Sequence, residues 1–300
     1  MLLQELEAKG LIKPPSWLSS NCHYISIVGS TAYAAQDTNG GDSDWDIMGI
    51  CTPRKEVIFP HLAGVIKNFG YQGEEFNEWQ QHKVFDKDAL GGHGREYDFA
   101  IYNIVKFFDL LMNNNPTVID SLFTPRECIL HITEVGNMIR DNRKLFLSKK
   151  CWARYKGYAM SQLHKMAGKK RSGKRKIIQE EYGWDLKFGM HLVRLLYEAE
   201  MILSEGDIDL RRHKEHLKSI RRGDMSESDV RKWAADKERQ LEEVFTKSKL
   251  QEEPNENEIK TLLVNCLEHH YGNIKSAIVM PDRYQSILTQ FKKILEENGI

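Results

Sequence analysis

No stretch of this chain approaches the roughly 20 consecutive apolar residues of a membrane-spanning helix, so an integral helical membrane protein is not expected. The opening segment, MLLQELEAKGLIKPP, carries acids and does not read as a signal peptide. There is no C-x-x-C pair. The five cysteines (Cys22, Cys51, Cys128, Cys151 and Cys266) are odd in number and scattered, which argues against both a disulfide framework and a zinc site and suits reduced cytoplasmic thiols. Internal repeats are missing, and so is net charge: 43 Lys and Arg face 43 Asp and Glu, so overall charge points to no class of partner. What remains is a chain of 300 residues with ordinary apolar content, enough for one or two domains and a sizeable core.

The chain is organised around Ile25 to Ile50. The apolar run ISIV ends in Gly29-Ser30; after residues 31–43, Asp44 and Asp46 open a second apolar run, DWDIMGI. Side chains alternate along a strand, so the two carboxylates share a face and Trp45 and Ile47 take the other. Carboxylates held together repel, and a hard divalent cation relieves that; Mg²⁺ takes one or two carboxylates together with phosphate oxygens. Gly29 permits close backbone approach to a ligand, and Ser30 adds a hydroxyl and an N–H suited to phosphate. Read alone, TNGGDSD is equally turn chemistry.

The ordered set of strand, Gly-Ser, gap, D-x-D and strand resembles the DNA polymerase β-like nucleotidyltransferase superfamily. That likeness implies a third acid on a neighbouring strand. Asp98, in a short strand-like stretch before a helix, fits the place; its alternative reading is a helix cap or surface acid. A narrower likeness follows from Gly29-Ser30-Thr31-Ala32-Tyr33, Ser43-Asp44-Trp45-Asp46, Asp98, Asn115-Pro116-Thr117 and Asp120-Ser121-Leu122-Phe123. Arg154, Tyr158-Ala159 and Gln162, then KFGMHLVRL from Lys187, extend it. Together these resemble the RlaP-type nucleotidyltransferases of bacteria and phages, some linked by gene context to RNA repair. The likeness runs from about Ile25 to Tyr197. It departs at Met48, where the family often has arginine, and at Asn103, near a place often held by an acid.

The likeness implies catalytic and metal-binding roles for Asp44, Asp46 and Asp98, with two Mg²⁺ or Mn²⁺ ions and an NTP as substrate. Gly29 and Ser30 would contact the triphosphate. Lys187, His191 and Arg194 fall at i, i+4 and i+7 on one helical stripe; by residue type alone they read as a solvated face, and the likeness makes them triphosphate ligands. Arg154 is a further candidate for the nucleotide or acceptor. Two basic segments, His164 to Lys176 and Arg211 to Arg222, are candidate RNA-binding surfaces or simply solvated elements.

The fold expected is α+β: a polymerase-β-like domain with a mixed sheet and flanking helices over residues 1–130, then an all-α domain over 131–300. Strands are expected at Cys22 to Val28, Asp46 to Thr52 and Tyr97 to Ala100, with an amphipathic helix from Ile101 to Met112. Residues 69–94 read as a surface insertion or a mobile loop, with strand character only at Lys83 to Phe85. A last helix is expected from Arg283 to Asn298. The function expected is transfer of an NMP from an NTP to an acceptor hydroxyl, first of all an RNA terminus, in the cytoplasm of a bacterium or phage-infected host. The alternatives are transfer to a protein or small molecule, and a non-catalytic nucleic-acid-binding module.

Overall fold

The structure is a computed structural model that describes residues 1–35, 44–63, 75–168, 174–272 and 295. The helix expected at Arg283 to Asn298 lies outside the described residues except at Leu295.

Among the described residues, five strands form one mixed sheet: β1 (Cys22–Val28), β2 (Trp45–Cys51), β3 (Glu78–Asp86), β4 (Arg95–Asn103) and β5 (Ile129–Ile132), in the order β3-β4-β2-β1-β5. β2 and β4 are parallel and every other pair is antiparallel. β1 is buried along its whole length, which is why it reads as an unbroken apolar run and not as an alternating one. β3 is an edge strand with Glu78, Gln80, His82 and Lys83 exposed, so residues 78–86 of the expected insertion are sheet.

The helices are α1 (Leu2–Ala8), α2 (Lys55–Ile58), α3 (Ala89–Gly92), α4 (Ile104–Met112), α5 (Pro116–Phe123), α6 (Glu134–Asp141), α7 (Cys151–Gly168), α8 (Lys174–Tyr182), α9 (Leu186–Glu205), α10 (Lys214–Arg222), α11 (Glu227–Lys247) and α12 (Glu256–Tyr271). α1 covers one sheet face through Leu3 and Leu6, which meet Ile25, Ile47, Phe99 and Ile101. The other face, with Tyr24, Val28, Met48 and Ile50, is continuous with the core of the helical half. Met48, standing where the resemblance suggests arginine, is buried in that core. Asn103 caps α4 by accepting from the Val105 N–H at 2.9 Å. The boundary expected at residue 130 falls inside β5, which pairs with β1.

α9 is the centre of the helical half. Asp185 caps its start by accepting from the Lys187 and Phe188 N–H groups, and Gly206 ends it in the left-handed conformation. α7, α10 and α11 pack around it; in its first turn Leu186 and Gly189 are buried and Lys187 is exposed.

The C-terminal end of α12 returns to the sheet. The Tyr271 hydroxyl donates to Pro53 O at 2.6 Å, and the His270 ring meets His23 of β1 edge-on at 4.8 Å. Burial first, then the nearby His270, His131 and His269, holds the His23 pKa down at about 3. His23 therefore stays neutral in the folded protein while the unfolded chain protonates below about pH 6.5. Its contribution to stability is present above that value and falls as pH drops toward 3, by about 2 kcal/mol between pH 7.5 and pH 5. Thermal melts at those two pH values test this, and His23→Gln is expected to flatten the difference.

Candidate active site

The parallel pairing of β2 with β4 sets Asp46 directly opposite Asp98, with Trp45 opposite Tyr97 one step before. Both acids point to the face that the helical half covers, because β4 alternates strictly: Tyr97, Phe99 and Ile101 are buried against the α1 side while Asp98 is partly open. The antiparallel partner β1 ends at Val28 opposite Asp46, so the chain turns at Gly29 just beside that carboxylate. Gly29 has a φ of +71°, and a Cβ there would lie 2.6 Å from Asp46 Oδ2. Only glycine leaves this carboxylate its place.

Asp46 has a pKa raised above the ordinary aspartate value. Desolvation is the largest cause; Asp98 and Asp44 add to it, and Lys187 and His82 oppose it. Asp44 is exposed immediately before β2. Asp98 accepts from the Lys83 backbone N–H at 2.7 Å, and His82 Nδ1 lies 3.5 Å from its Oδ1. These contacts come from a bulge in β3 between Gln81 and Val84, where Lys83 takes a φ of 55°. Sequence reading missed His82; the signal available was only a polar HK pair in a stretch without periodicity.

The basic stripe on α9 divides by depth. Lys187 is exposed on the first turn and acts on Asp46, and His191 is half-buried. Arg194 does not face the acids. It is 8 % exposed and forms a buried cluster with Asp120, with Glu198 at 3.1 Å and with the Tyr33 hydroxyl at 2.5 Å. Burial, and then the Asp120 charge, push Glu198 well above the carboxylate range, and burial raises Asp120 too, with the Arg194 guanidinium opposing both shifts. Tyr33 also donates to Asp120 at 2.8 Å and lies under the guanidinium. Since Tyr33 belongs to the turn that begins at Gly29, the cluster anchors the Gly29-Ser30 turn from behind.

Arg154 is exposed on α7, its guanidinium 3.5 Å from Asn113 Oδ1. Of the basic segments, residues 169–173 lie outside the described residues. In the other, Arg211 pairs with Glu127, Arg212 with Glu205, Lys218 with Glu215 and Arg222 with Asp224, while Leu217 and Ile220 are buried. Much of its charge is therefore matched within the molecule, and the segment is a packed amphipathic helix with its lead-in. The Arg211 Nε also donates to Ala32 O at 3.2 Å, a second brace on the turn.

Among the described residues, no three His, Cys, Asp or Glu side chains converge closely enough to hold a metal ion. The donor chemistry nonetheless suits a hard divalent cation: two carboxylates side by side, one with a raised pKa, beside a glycine that leaves open space.

A parallel pair of strands bearing opposed acids, beside a Gly-Ser turn, matches the arrangement that the sequence resemblance implies. The model of the RlaP family, described as RNA repair pathway DNA polymerase beta family, matches residues 19–265, and the chain belongs to that family. No curated protein matches it. Among solved structures it is similar to a nucleotidyltransferase-like protein from Exiguobacterium sibiricum 255-15, at 11% identity and a TM-score of 0.27, over 91% of this chain and 73% of the other, a similarity too remote to carry an argument. Among the described residues, no helix is long and apolar enough to cross a membrane.

The contact between Gly29 and Asp46 gives a direct test. Gly29→Ala is expected to lower nucleotidyl transfer roughly 100-fold, on the scale of a displaced catalytic group, and to cost about 1–2 kcal/mol from the left-handed backbone. Gly10→Ala is the control: its φ is +70° with nothing within 4 Å of the added Cβ, so it carries the strain without the contact. Equal transfer by the two variants would show that the contact is immaterial.

Proposed function

We propose that the protein transfers an NMP from an NTP to a hydroxyl of an RNA terminus, releasing pyrophosphate. The observation that carries this is the register that sets Asp46 against Asp98, with Gly29 packed on the Asp46 carboxylate. Family membership supplies the reaction class and the RNA context. Of the two halves expected, 1–130 would be catalytic, its sheet completed by β5 through Ile132, and the helices that follow would close over nucleotide and acceptor.

Asp44, Asp46 and Asp98 would hold Mg²⁺ or Mn²⁺, as two ions; when bound, such ions neutralise phosphate charge and orient attacking and leaving oxygens. The chain's own residues do the rest. The Gly29-Ser30 turn offers backbone N–H groups and the Ser30 hydroxyl to phosphate oxygens, held in position by Tyr33 and Arg211. Lys187 places a cation on the same side, with His191 one turn further along α9. Asp98 orients the acceptor hydroxyl and takes its proton as the oxygen attacks the α-phosphorus; His82 beside it provides a route for that proton to solvent. Pyrophosphate leaves with the bond electrons. Positioning and charge neutralisation account for the rate.

The test is label transfer. The protein is incubated with each NTP labelled at the α-phosphate, Mg²⁺ or Mn²⁺, and total RNA, beside an Asp44→Ala/Asp46→Ala double variant. Label on RNA with the wild type only is the expected result. Label on protein or a small molecule instead would overturn the RNA acceptor and keep the reaction class. Salt-dependent RNA binding with no transfer, unchanged in the double variant, would favour a binding module.

A further inference from the structure

The bulge in β3 does more than bring the Lys83 N–H to Asp98. Before it, Trp79 and Gln81 pair with Ile101 and Phe99 of β4; after it, Val84 pairs with Tyr97. Residues directly opposite on antiparallel strands share a face, and Trp79 and Val84 pack with Ile101, Phe99 and Tyr97 under α1. Unbroken alternation from Trp79 and Gln81 would send residue 85 to that same buried face. The extra residue of the bulge reverses the phase, so Phe85 stands opposite Glu96, on the face that carries Asp98.

On that face Phe85 is 56 % exposed. A lone exposed phenylalanine is ordinary on a protein surface; this one is held in place. Its neighbours Val84 and Asp86 are buried, and the Asp86 carboxylate accepts from Lys9 Nζ, at the end of α1, at 2.7 Å. The tip of the ring lies against Gly94, where an added Cβ would collide with Phe85 Cζ. Gly94 has a φ of +78°, and its N–H donates to Ala89 O at 3.0 Å within the turn that joins β3 to β4. The ring is thus seated on bare backbone, and its position is set before a ligand arrives. Aromatic rings presented on a sheet face are a recurrent platform for the bases of single-stranded RNA.

The strand order places the ring relative to the acids. Across the sheet run Phe85 on β3, Asp98 on β4, Asp46 on β2 and the Gly29-Ser30 turn at the end of β1. Glu96 and Asp98 are two residues apart on one face of β4, so the Cα atoms of Phe85 and Asp98 are roughly 8 Å apart at about 3.3 Å per residue and about 4.8 Å per strand. A nucleoside spans a comparable distance from its sugar hydroxyls to its base. The Gly-Ser turn lies beyond Asp46 and the ring lies beyond Asp98, at opposite ends of the pair of acids. A nucleotide whose hydroxyl meets Asp98 from the β3 side therefore carries its own base over Phe85.

We propose that Phe85 is the stacking platform for the terminal base of the RNA acceptor, the base of the nucleotide whose hydroxyl Asp98 orients. This rests on the nucleotidyltransferase reading of the acids and adds to it how the acceptor end is held.

Equilibrium binding is measured for a labelled single-stranded oligoribonucleotide, for the same strand lacking the base of its 3′- or its 5′-terminal residue, and for a labelled NTP. Wild type is expected to bind the complete strand roughly 10-fold more tightly than one of the two abasic strands, within the range for stacking of one base. Phe85→Ala is expected to lose that preference by weakening the complete strand alone. Phe85→Leu keeps apolar area without a ring and is expected to behave like the alanine variant. Phe85→Tyr keeps the ring and is expected to retain the preference. The NTP constant is expected not to change in any variant, which also shows that each one is folded. Label transfer by the same proteins separates this inference from the reading beneath it. If wild type labels RNA but shows no terminal-base preference, or Phe85→Ala keeps that preference, the platform is wrong and the reaction stands. If the NTP constant alone changes, the ring holds the base of the NTP and the acceptor assignment is overturned. If wild type labels no RNA, the RNA acceptor fails and this inference fails with it.

Discussion

Asp46→Ala is expected to reduce nucleotidyl transfer by roughly 1,000-fold, equivalent to about 4 kcal/mol of transition-state stabilisation. This carboxylate is the point on which the site converges: β1 ends beside it, Gly29 packs on it, Asp98 lies across the ladder from it, and Lys187 acts on it from α9. Its raised pKa gives the prediction a second, independent sign. A carboxylate whose folded pKa lies above its unfolded value contributes stability that is fully present below the unfolded pKa, and loses it as pH rises through the folded pKa. At neutral pH the ionised group is therefore a net cost to folding. Asp46→Asn is expected to be as inactive as the alanine variant and yet to melt higher than wild type at pH 7.5, with the gain vanishing at low pH. Transfer rates of both variants, and melts without added metal at pH 7.5 and pH 4, check these expectations. An Asp46→Asn protein that is active, or that melts lower than wild type, would contradict the placement of this group.

Arg194→Met is expected to destabilise the fold by about 3–5 kcal/mol, the range for removing one partner from a buried ion pair. Asp120 and Glu198 are almost fully buried, and Asp120 Oδ1 and Glu198 Oε2 already have no hydrogen-bond partner; without the guanidinium they lose their compensating charge too. The loss is large against the 5–15 kcal/mol typical of whole domains. Arg194→Lys is expected to recover little, because an ammonium is a point charge that cannot serve Asp120, Glu198 and Tyr33 with the fork of a guanidinium. The triple replacement Arg194→Met, Asp120→Leu, Glu198→Met is expected to recover much of the stability, since no charge is then left buried. Denaturant unfolding of the three proteins gives the ordering. The alternative role, a direct triphosphate contact, would leave stability near wild type in Arg194→Met and raise KM for the NTP. Because Tyr33 links this cluster to the Gly29-Ser30 turn, the triple variant also has a diagnostic use: a folded protein with weakened transfer would show that Arg194 positions the turn.

Part of this protein is local and could be read directly. β1 runs from Cys22 to Val28 as its apolar run predicts, and β2 covers nearly the residues expected of it. The D-x-D pair and the Gly-Ser turn are statements about neighbours in sequence, and side-chain alternation fixes how such neighbours point. The α+β class follows from the same reasoning, since strands cluster early and helical periodicity dominates later. The misreadings share a cause. β3 was hidden because an edge strand needs no apolar face toward solvent, and its Gln80, Gln81, His82 and Lys83 give no periodic signal. β5 was hidden because it is short and half-buried along its length.

The tertiary structure alone decided the rest. Lys187, His191 and Arg194 share one helical stripe and are equivalent in sequence; they differ in depth, Lys187 exposed, His191 half-buried and Arg194 buried where the neighbouring helices pack on α9. Depth then changes their chemistry: the same positive charge acts on Asp46 from the surface at Lys187 and neutralises Asp120 in the interior at Arg194. The sequence by itself determined the acids, the turn and the two strands, β1 and β2, that flank it. Which acid stands opposite which, and which cation each one meets, depended on the register of β2 against β4 and on the packing around α9, because those contacts join residues that nothing in the local chain brings together.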